Sequence, residues 1–238
     1  MSKSLLYFTF VVLLFSVKKV SAQNADNTVK VVGAMKNVMR KGQLFGTFAL
    51  DTIANKQHLY GLGPVEFLTG ELLIVDGKAY QSSVISANEM RVEENFKVKA
   101  PFFVYANINN WKEQRLPKSV KTLIELESYL DKLTKNSNQP FAIKLSGFVK
   151  TANIHIVNLP AGTKVSSPED AHQGQTNYKL TNKEVEIIGF FSKQHQAIFT
   201  HHDTFIHTHL ITKDKSMMGH LDEVDFDAKK MKLFLPKN

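Results

Sequence analysis

Cysteine is absent from all 238 residues, and that absence removes disulfide scaffolds, thiol catalysis, Cys-ligated zinc ribbons and iron–sulfur clusters together. It also removes a lipoprotein anchor, which needs a cysteine at its cleavage point. Any metal must therefore be held by His, Asp or Glu. No apolar run of roughly 18 residues lies beyond the first positions of the chain, which excludes a polytopic membrane protein. There is no internal repeat and no low-complexity tract. The formal charge is +8, but the basic residues are scattered rather than clustered with aromatics, so a solvated basic surface is expected and nucleic acid is not. What is present is 43% hydrophobic and 22% charged, an ordinary globular mixture able to bury a core.

The first residues read as an address. Lys3 supplies a positive start, residues 5–17 are apolar apart from Thr9 and Ser16, and Val20-Ser21-Ala22 has the small-x-small form of a signal-peptidase site. Residues 1–22 are expected to be a signal peptide, with a mature chain beginning at Gln23 and exported to the periplasm or the extracellular space. An apolar stretch of about 13 positions is short for a membrane span, so none is expected after cleavage. Loss of Lys3, Lys18 and Lys19 would remove three of the eight excess positive charges.

Along the mature chain, Val29, Val32, Met35, Val38 and Met39 have the spacing of one helix face beginning at Thr28, with Gly42 as its stop. Strand signals follow at 59–62 and 71–75, and Asp76-Gly77 is a hairpin turn leading into 78–81; residues 101–108 form a further strand. Leu123, Leu126, Leu130 and Leu133 predict a helix capped by Ser119 and ended before Pro140. Strands are expected at 141–149, 153–157, 184–191, 204–212, 220–226 and 231–235, with a surface loop over 160–177. The fold class is α+β, mostly antiparallel.

Six of the nine histidines, His195, His201, His202, His207, His209 and His220, fall in one short stretch. The period-2 rule puts His207 and His209 on one strand face. If Thr212 pairs with Met217 across the polar turn Lys213-Asp214-Lys215-Ser216, His209 lies opposite His220, and directly opposed residues share a face. Three imidazoles so placed can hold one ion and leave a fourth position open, the pattern of a catalytic zinc. Gly219 would allow a close approach beside His220. His201 and His202 cannot both face that ion from a strand and are read as loop or outer residues. His58, His155, His172 and His195 have no partner by spacing and are read as ordinary histidines. Glu71, opening an apolar strand after Gly70, could shuttle protons if burial raises its pKa, although a carboxylate beside a turn is more often solvated.

The pieces Gly61-x-Gly63, Gly70-Glu71-Leu72, Asp76-Gly77-x-x-Tyr80, Ala142-Ile143-Lys144-x-x-Gly147, His207-x-His209 and Gly219-His220 together resemble the alpha-acetolactate decarboxylase family, in order and spacing over residues 29–234. The resemblance implies a zinc enzyme of two mixed, mostly antiparallel β-sheet halves, here 23–140 and 141–238, with the site near their junction. It places Zn²⁺ on His207, His209 and His220 in the C-terminal half, makes Glu71 the proton relay, and puts Lys144, where the family carries an arginine, on the departing carboxylate. The implied reaction is decarboxylation of 2-acetolactate to acetoin, with Zn²⁺ as Lewis acid for the charge left behind. The implied partner is this small molecule, with a homodimer left open. Pro64 replaces a family threonine, and the family's C-terminal glutamate has no counterpart before Asn238, leaving Glu66, Asp222 and Glu223 as substitutes. The alternatives are a three-histidine zinc hydratase or hydrolase, and a non-catalytic exported metal-binding relative.

Overall fold

The computed structural model describes residues 27–135 and 137–237; the expected signal segment 1–22 lies outside the described residues. Among them, no helix is long and apolar enough to cross a membrane. The strands of the first sheet are β1 (Lys30–Val32), β3 (Leu59–Pro64), β4 (Glu71–Val75), β5 (Lys78–Ser86), β6 (Glu89–Glu94) and β8 (Phe103–Asn107), in the order β1-β8-β3-β4-β5-β6. The second sheet is built from β9 (Trp111–Gln114), β10 (Phe141–Ile156), β11 (Thr176–Phe191), β12 (Ile206–Thr212) and β13 (Met218–Pro236), in the order β10-β11-β12-β13-β9, while β2 (Phe48–Ala49) and β7 (Lys99–Ala100) form a separate two-stranded ladder. Because β13 also pairs with β10, four of these strands close on themselves. Every ladder within both sheets is antiparallel, and the α+β class holds.

Period-2 alternation sets what each strand faces. In β11 and β12, Ile187 and Leu210 point into the closed group, where they pack with Ile143, Leu145, Phe191 and Leu221. Their neighbours Ile188 and Ile211 point the other way, against Leu62, Leu73 and Val104 of the first sheet. Both faces are buried, which is why these strands read as near-continuous apolar runs. The same rule puts Leu73 and Val75 of β4 toward the second sheet and Leu72 and Ile74 away from it.

Several expected boundaries move. The helix expected from Thr28 is two elements: β1 pairs with β8, Gly33 breaks the chain at φ 67°, and α1 (Met35–Lys41) follows. Gly42 is its left-handed stop as expected, with φ 61°. Ala34 offers no side-chain cap, so the first α1 amides donate instead to the carbonyls of Ile198 and Ala197, at 2.7 and 2.8 Å. In α2 (Leu123–Leu133) the cap is Thr122, not Ser119, because Glu125 lies at the spacing that completes a reciprocal capping box. Strands expected separately at 141–149 and 153–157 are one, β10, and those at 220–226 and 231–235 are one, β13. The loop 160–177 contains a short helix, α3 (Pro168–Ala171), with Ser167 as cap. Residue 140 is where β10 is about to begin, but β9 and α2 before it already belong with the second sheet, through the β9–β13 ladder and the burial of Leu126 and Leu130 in its core.

The turn between β12 and β13 is where register is decided. Thr212 N–H donates to the Met217 carbonyl at 2.9 Å, the pairing on which the opposition of His209 and His220 depends. Asp214 Oδ1 accepts from Thr212 Oγ1 at 2.6 Å, Ser216 Oγ at 2.7 Å and Ser216 N at 3.0 Å. These bonds hold its carboxyl down from 3.8 to about 2. A depressed acid contributes stability above its unfolded pKa and loses it as the pH falls toward the folded one. Asp214 is exposed and solvent screens its charge, so Asp214→Ala is expected to lower stability by no more than about 1 kcal/mol at neutral pH, and the difference from wild type should fade below about pH 4 in pH-resolved thermal melts. A difference that persisted unchanged to about pH 2 would contradict this account of the turn.

Candidate metal centre

The register Thr212–Met217 puts His209 directly opposite His220, and His207 lies one period along the same face of β12. That face is the one Ile211 turns toward the first sheet, so the imidazoles point into the junction between the sheets. The three side chains are 3%, 0% and 9% exposed for His207, His209 and His220, and one ligand nitrogen from each lies within 4.8 Å of the others. From the opposite sheet, Glu71 shares the face of Leu73 and Val75 and arrives at the same point, with Oε2 3.6 Å from His209 Nε2.

Each ring is oriented by its surroundings. His207 Nδ1 donates to the Phe199 carbonyl at 2.6 Å, which turns Nε2 inward, 3.1 Å from His220 Nδ1. A histidine whose outer nitrogen is committed to a backbone carbonyl presents the other as a ligand. Burial pushes His207 and His220 well below their usual range, and the neighbouring histidines push the same way. Burial also brings His209 down to about 3, with the charge of His155 adding to it. Glu71 moves in the opposite direction. Burial pushes its carboxyl well up, Asp222 adds to the shift, and the Val157 N–H that it accepts at 3.3 Å only partly opposes it. At the Glu71–His209 contact desolvation therefore disfavours the charged form of both groups.

Among the described residues neither buried ring nitrogen of His209 has a partner at full hydrogen-bond geometry: Glu71 Oε2 stands 3.6 Å away, and the Leu72 backbone gives at most a weak bond. An unpaired polar group in such a place costs about 1–3 kcal/mol, and a cation between His207, His209 and His220 would give it the partner it lacks. The donor set fits a divalent ion of the zinc type, which takes neutral imidazoles and leaves a position open when only three protein ligands are present.

Other residues take places the sequence did not assign. His155, expected to be unconnected, is 5% exposed and opposes His220 across the β10–β13 ladder, with ring centroids 4.6 Å apart. Its Nδ1 lies 2.8 and 2.9 Å from the two carboxylate oxygens of Asp222. The signal was invisible because the register of β10 against β13 shifts three times between Gly147 and Ile154, so counting by twos from Ala142 gives the wrong face. His172 also approaches, 6.0 Å from the His155 ring, and His201 stands 5.1 Å from that of His220. His202 is exposed, His58 pairs with Asp76 on the surface at 2.9 Å, and His195 bonds Ser192. Glu66 accepts from the Gly46 amide and Glu223 from Asn153.

Lys144 is not brought to this group. Its Nζ lies over the rings of Trp111, Phe234 and Tyr60, at 5.0, 5.0 and 5.8 Å, and burial lowers its pKa. Tyr60 and Pro64 sit at opposite ends of β3, and only Pro64 lines the histidine cleft. Across the second sheet Lys144 stands in the same row as His209, with Ile188 of β11 between them, and it is not among the residues that line the cleft. The outward face of β10 that carries Lys144 meets the aromatic end of the sheet junction instead. The cleft itself is lined by Glu71, His155, His172, His201, His207 and His220, with Met35, Met39, Pro64, Phe102 and Val157 closing its apolar side. It holds about 20 Å³ of free space, room for an ion or one water.

Two packed antiparallel sheets with a buried three-imidazole group at their junction define an α+β protein with a candidate metal centre. A sequence model of the alpha-acetolactate decarboxylase family matches residues 31–236, and the chain belongs to that family. It is 27% identical over 209 residues to alpha-acetolactate decarboxylase of Brevibacillus brevis, covering 87% of this chain and 70% of that one. It is 25% identical over 166 residues to the enzyme of that name from Lactococcus lactis subsp. cremoris (strain MG1363), covering 68% and 65% respectively. The solved alpha-acetolactate decarboxylase from Bacillus subtilis strain 168 superposes with a TM-score of 0.72 at 18% identity, covering 89% of this chain and 86% of the other. This last likeness is one of fold.

A Cβ on Gly219 would stand 2.5 Å from the backbone oxygen of His155, too close for β10 and β13 to keep their spacing. Gly219→Ala is expected to cost about 1–3 kcal/mol, read as a lowered Tm. A variant as stable as wild type would mean that the strands beside His220 and His155 can separate freely.

Proposed function

We propose that the protein decarboxylates 2-acetolactate to acetoin, with zinc held by His207, His209 and His220. Family membership supports the reaction. The observation that carries the site is the meeting of Glu71 with the three buried histidines, its Oε2 3.6 Å from Nε2 of His209, a ring with no partner at full hydrogen-bond geometry among the described residues. When bound there, a zinc ion supplies a Lewis acid for the negative charge that builds on the substrate's oxygens as carbon dioxide leaves.

The remaining work falls to the chain. Loss of carbon dioxide leaves an electron pair on the carbon that bore it, and acetoin forms when that carbon takes a proton. Glu71 is the proton donor in this reading: burial favours its protonated form, and the Val157 amide fixes Oε1 so that Oε2 faces the histidines. It recovers its proton from solvent after product leaves, so atoms and charge balance over the cycle. Phe199 orients His207 through Nδ1, and Met35, Pro64 and Phe102 keep bulk water from the reacting carbon. The free space beside the histidines is smaller than the substrate, so the flexible Met35 and Met39 side chains must turn aside for it to enter.

Zinc content and acetoin release, measured on the same preparation, test this reading. His207→Ala, His209→Ala and His220→Ala are each expected to abolish stoichiometric zinc. Glu71→Gln is expected to keep zinc and lose about 10²- to 10⁴-fold in turnover, the usual contribution of a positioned acid. Zinc-loaded wild-type protein releasing no acetoin above the spontaneous background would remove the decarboxylase reading and favour a non-catalytic metal-binding role.

A further inference from the structure

Lys144 does not line the cleft beside the histidines, whereas His155 does, and a substrate in that cleft needs a group to hold its polar end. We propose that His155, oriented by Asp222, is that substrate-contacting residue, and that it recognises a 2-hydroxy carboxylate through Nε2; this rests on the decarboxylase reading above.

Geometry selects His155 from the histidines that line the cleft. Its Nδ1 is bound by both oxygens of Asp222, at 2.8 and 2.9 Å, while Nε2 has no protein hydrogen-bond partner among the described residues. A carboxylate bonded to Nδ1 fixes the orientation of the ring and leaves Nε2 as its free polar atom, on a residue that lines the cleft. The adjacent hydroxyl and carboxylate of a 2-hydroxy acid offer that atom both a donor and an acceptor. The ring is also held in place, 4.6 Å from that of His220 on one side and 6.0 Å from that of His172 on the other, and it is anchored in a strand whose neighbour Gly219 admits the His155 carbonyl at close range. A group fixed in this way loses little freedom when it binds. The alternatives are less suited. His172 has committed Nδ1 to the Pro168 carbonyl at 2.6 Å and stands behind His155. His201 lies outside the strands, and no carboxylate is hydrogen-bonded to its ring.

Asp222 then acts through His155, as a positioning residue. Its Oδ1 also lies 4.0 Å from His220 Nε2, so one carboxylate faces both the substrate-contacting histidine and a histidine of the candidate metal centre. His155, His220 and Asp222 could themselves surround a cation, and the experiment must separate that arrangement from substrate contact.

The probe is 2-hydroxy-2-methylpropanoate, a small 2-hydroxy carboxylate that has no ketone and cannot react in the same way. It is titrated calorimetrically into zinc-loaded protein whose metal content is measured in parallel. His155→Ala is expected to bind it about tenfold more weakly, the effect of one lost hydrogen bond, while keeping the zinc content of wild type. His155→Gln, whose amide restores an acceptor, should recover part of the loss. Asp222→Asn should fall between wild type and His155→Ala, and Lys144→Met should bind as wild type does. Unchanged affinity in His155→Ala overturns the proposal, as does loss of zinc together with binding, which would make His155 a metal ligand. A wild type that does not bind the probe overturns it too. An acetoin assay on the same samples keeps the two readings apart: His155-dependent binding without any acetoin supports the contact and removes the decarboxylase, whereas acetoin release unaffected by His155→Ala removes the contact alone.

Discussion

The structure depends on one costly arrangement: imidazoles packed, nearly out of water, against a carboxyl whose charged form burial disfavours. Desolvation pushes His207, His209 and His220 down and Glu71 up, so none of these groups gains from charge, and neither ring nitrogen of His209 reaches a partner at full hydrogen-bond geometry among the described residues. Such a cluster persists only where the surrounding fold over-determines it. Here it does so from two sheets at once. The β12–β13 register fixes the histidines, the alternation of β4 aims Glu71, and the apolar contacts of Leu73, Ile188 and Ile211 press the two faces together.

The closed β10-β11-β12-β13 group explains why the site lies where it does. Its inward face is filled by aliphatic and aromatic side chains, so polar residues are left to its outward face, and that face is covered by the first sheet. The centre is therefore buried on a surface between layers rather than inside a core. Met35 enters from a helix whose first amides are tied to the 197–198 carbonyls, and this connects the chain's start to the loop that carries His201.

Much of this was legible locally. The four-residue polar turn and the period-2 rule were enough to put His209 opposite His220, because a short hairpin leaves few registers. The strand at 71–75 and the leucine spacing of α2 were equally plain. What escaped notice was long-range or irregular. Thr122 took the cap because Glu125 could answer it, a reciprocal bond that Ser119 could not make. The junction β9 forms with β13 has no signal in either segment. His155 was hidden by shifts of register inside β10, and its partner Asp222 is 67 residues away. Lys144 lies on the strand its motif implied, in the row of Ile188 and His209, and the long-range contacts of its Nζ with Trp111, Phe234 and Tyr60 have no signal in that motif.

The register of β12 against β13 converges three histidines on one point, where zinc is the proposed ion. Anomalous diffraction from zinc-loaded crystals, collected above and below the zinc absorption edge, tests that proposal most directly. The expected result is a single strong peak bonded to nitrogens of His207, His209 and His220 at about 2.0–2.1 Å, with Glu71 beside it. A peak on His155 and Asp222 with only His220 shared, or no ordered zinc between the sheets, would contradict the account.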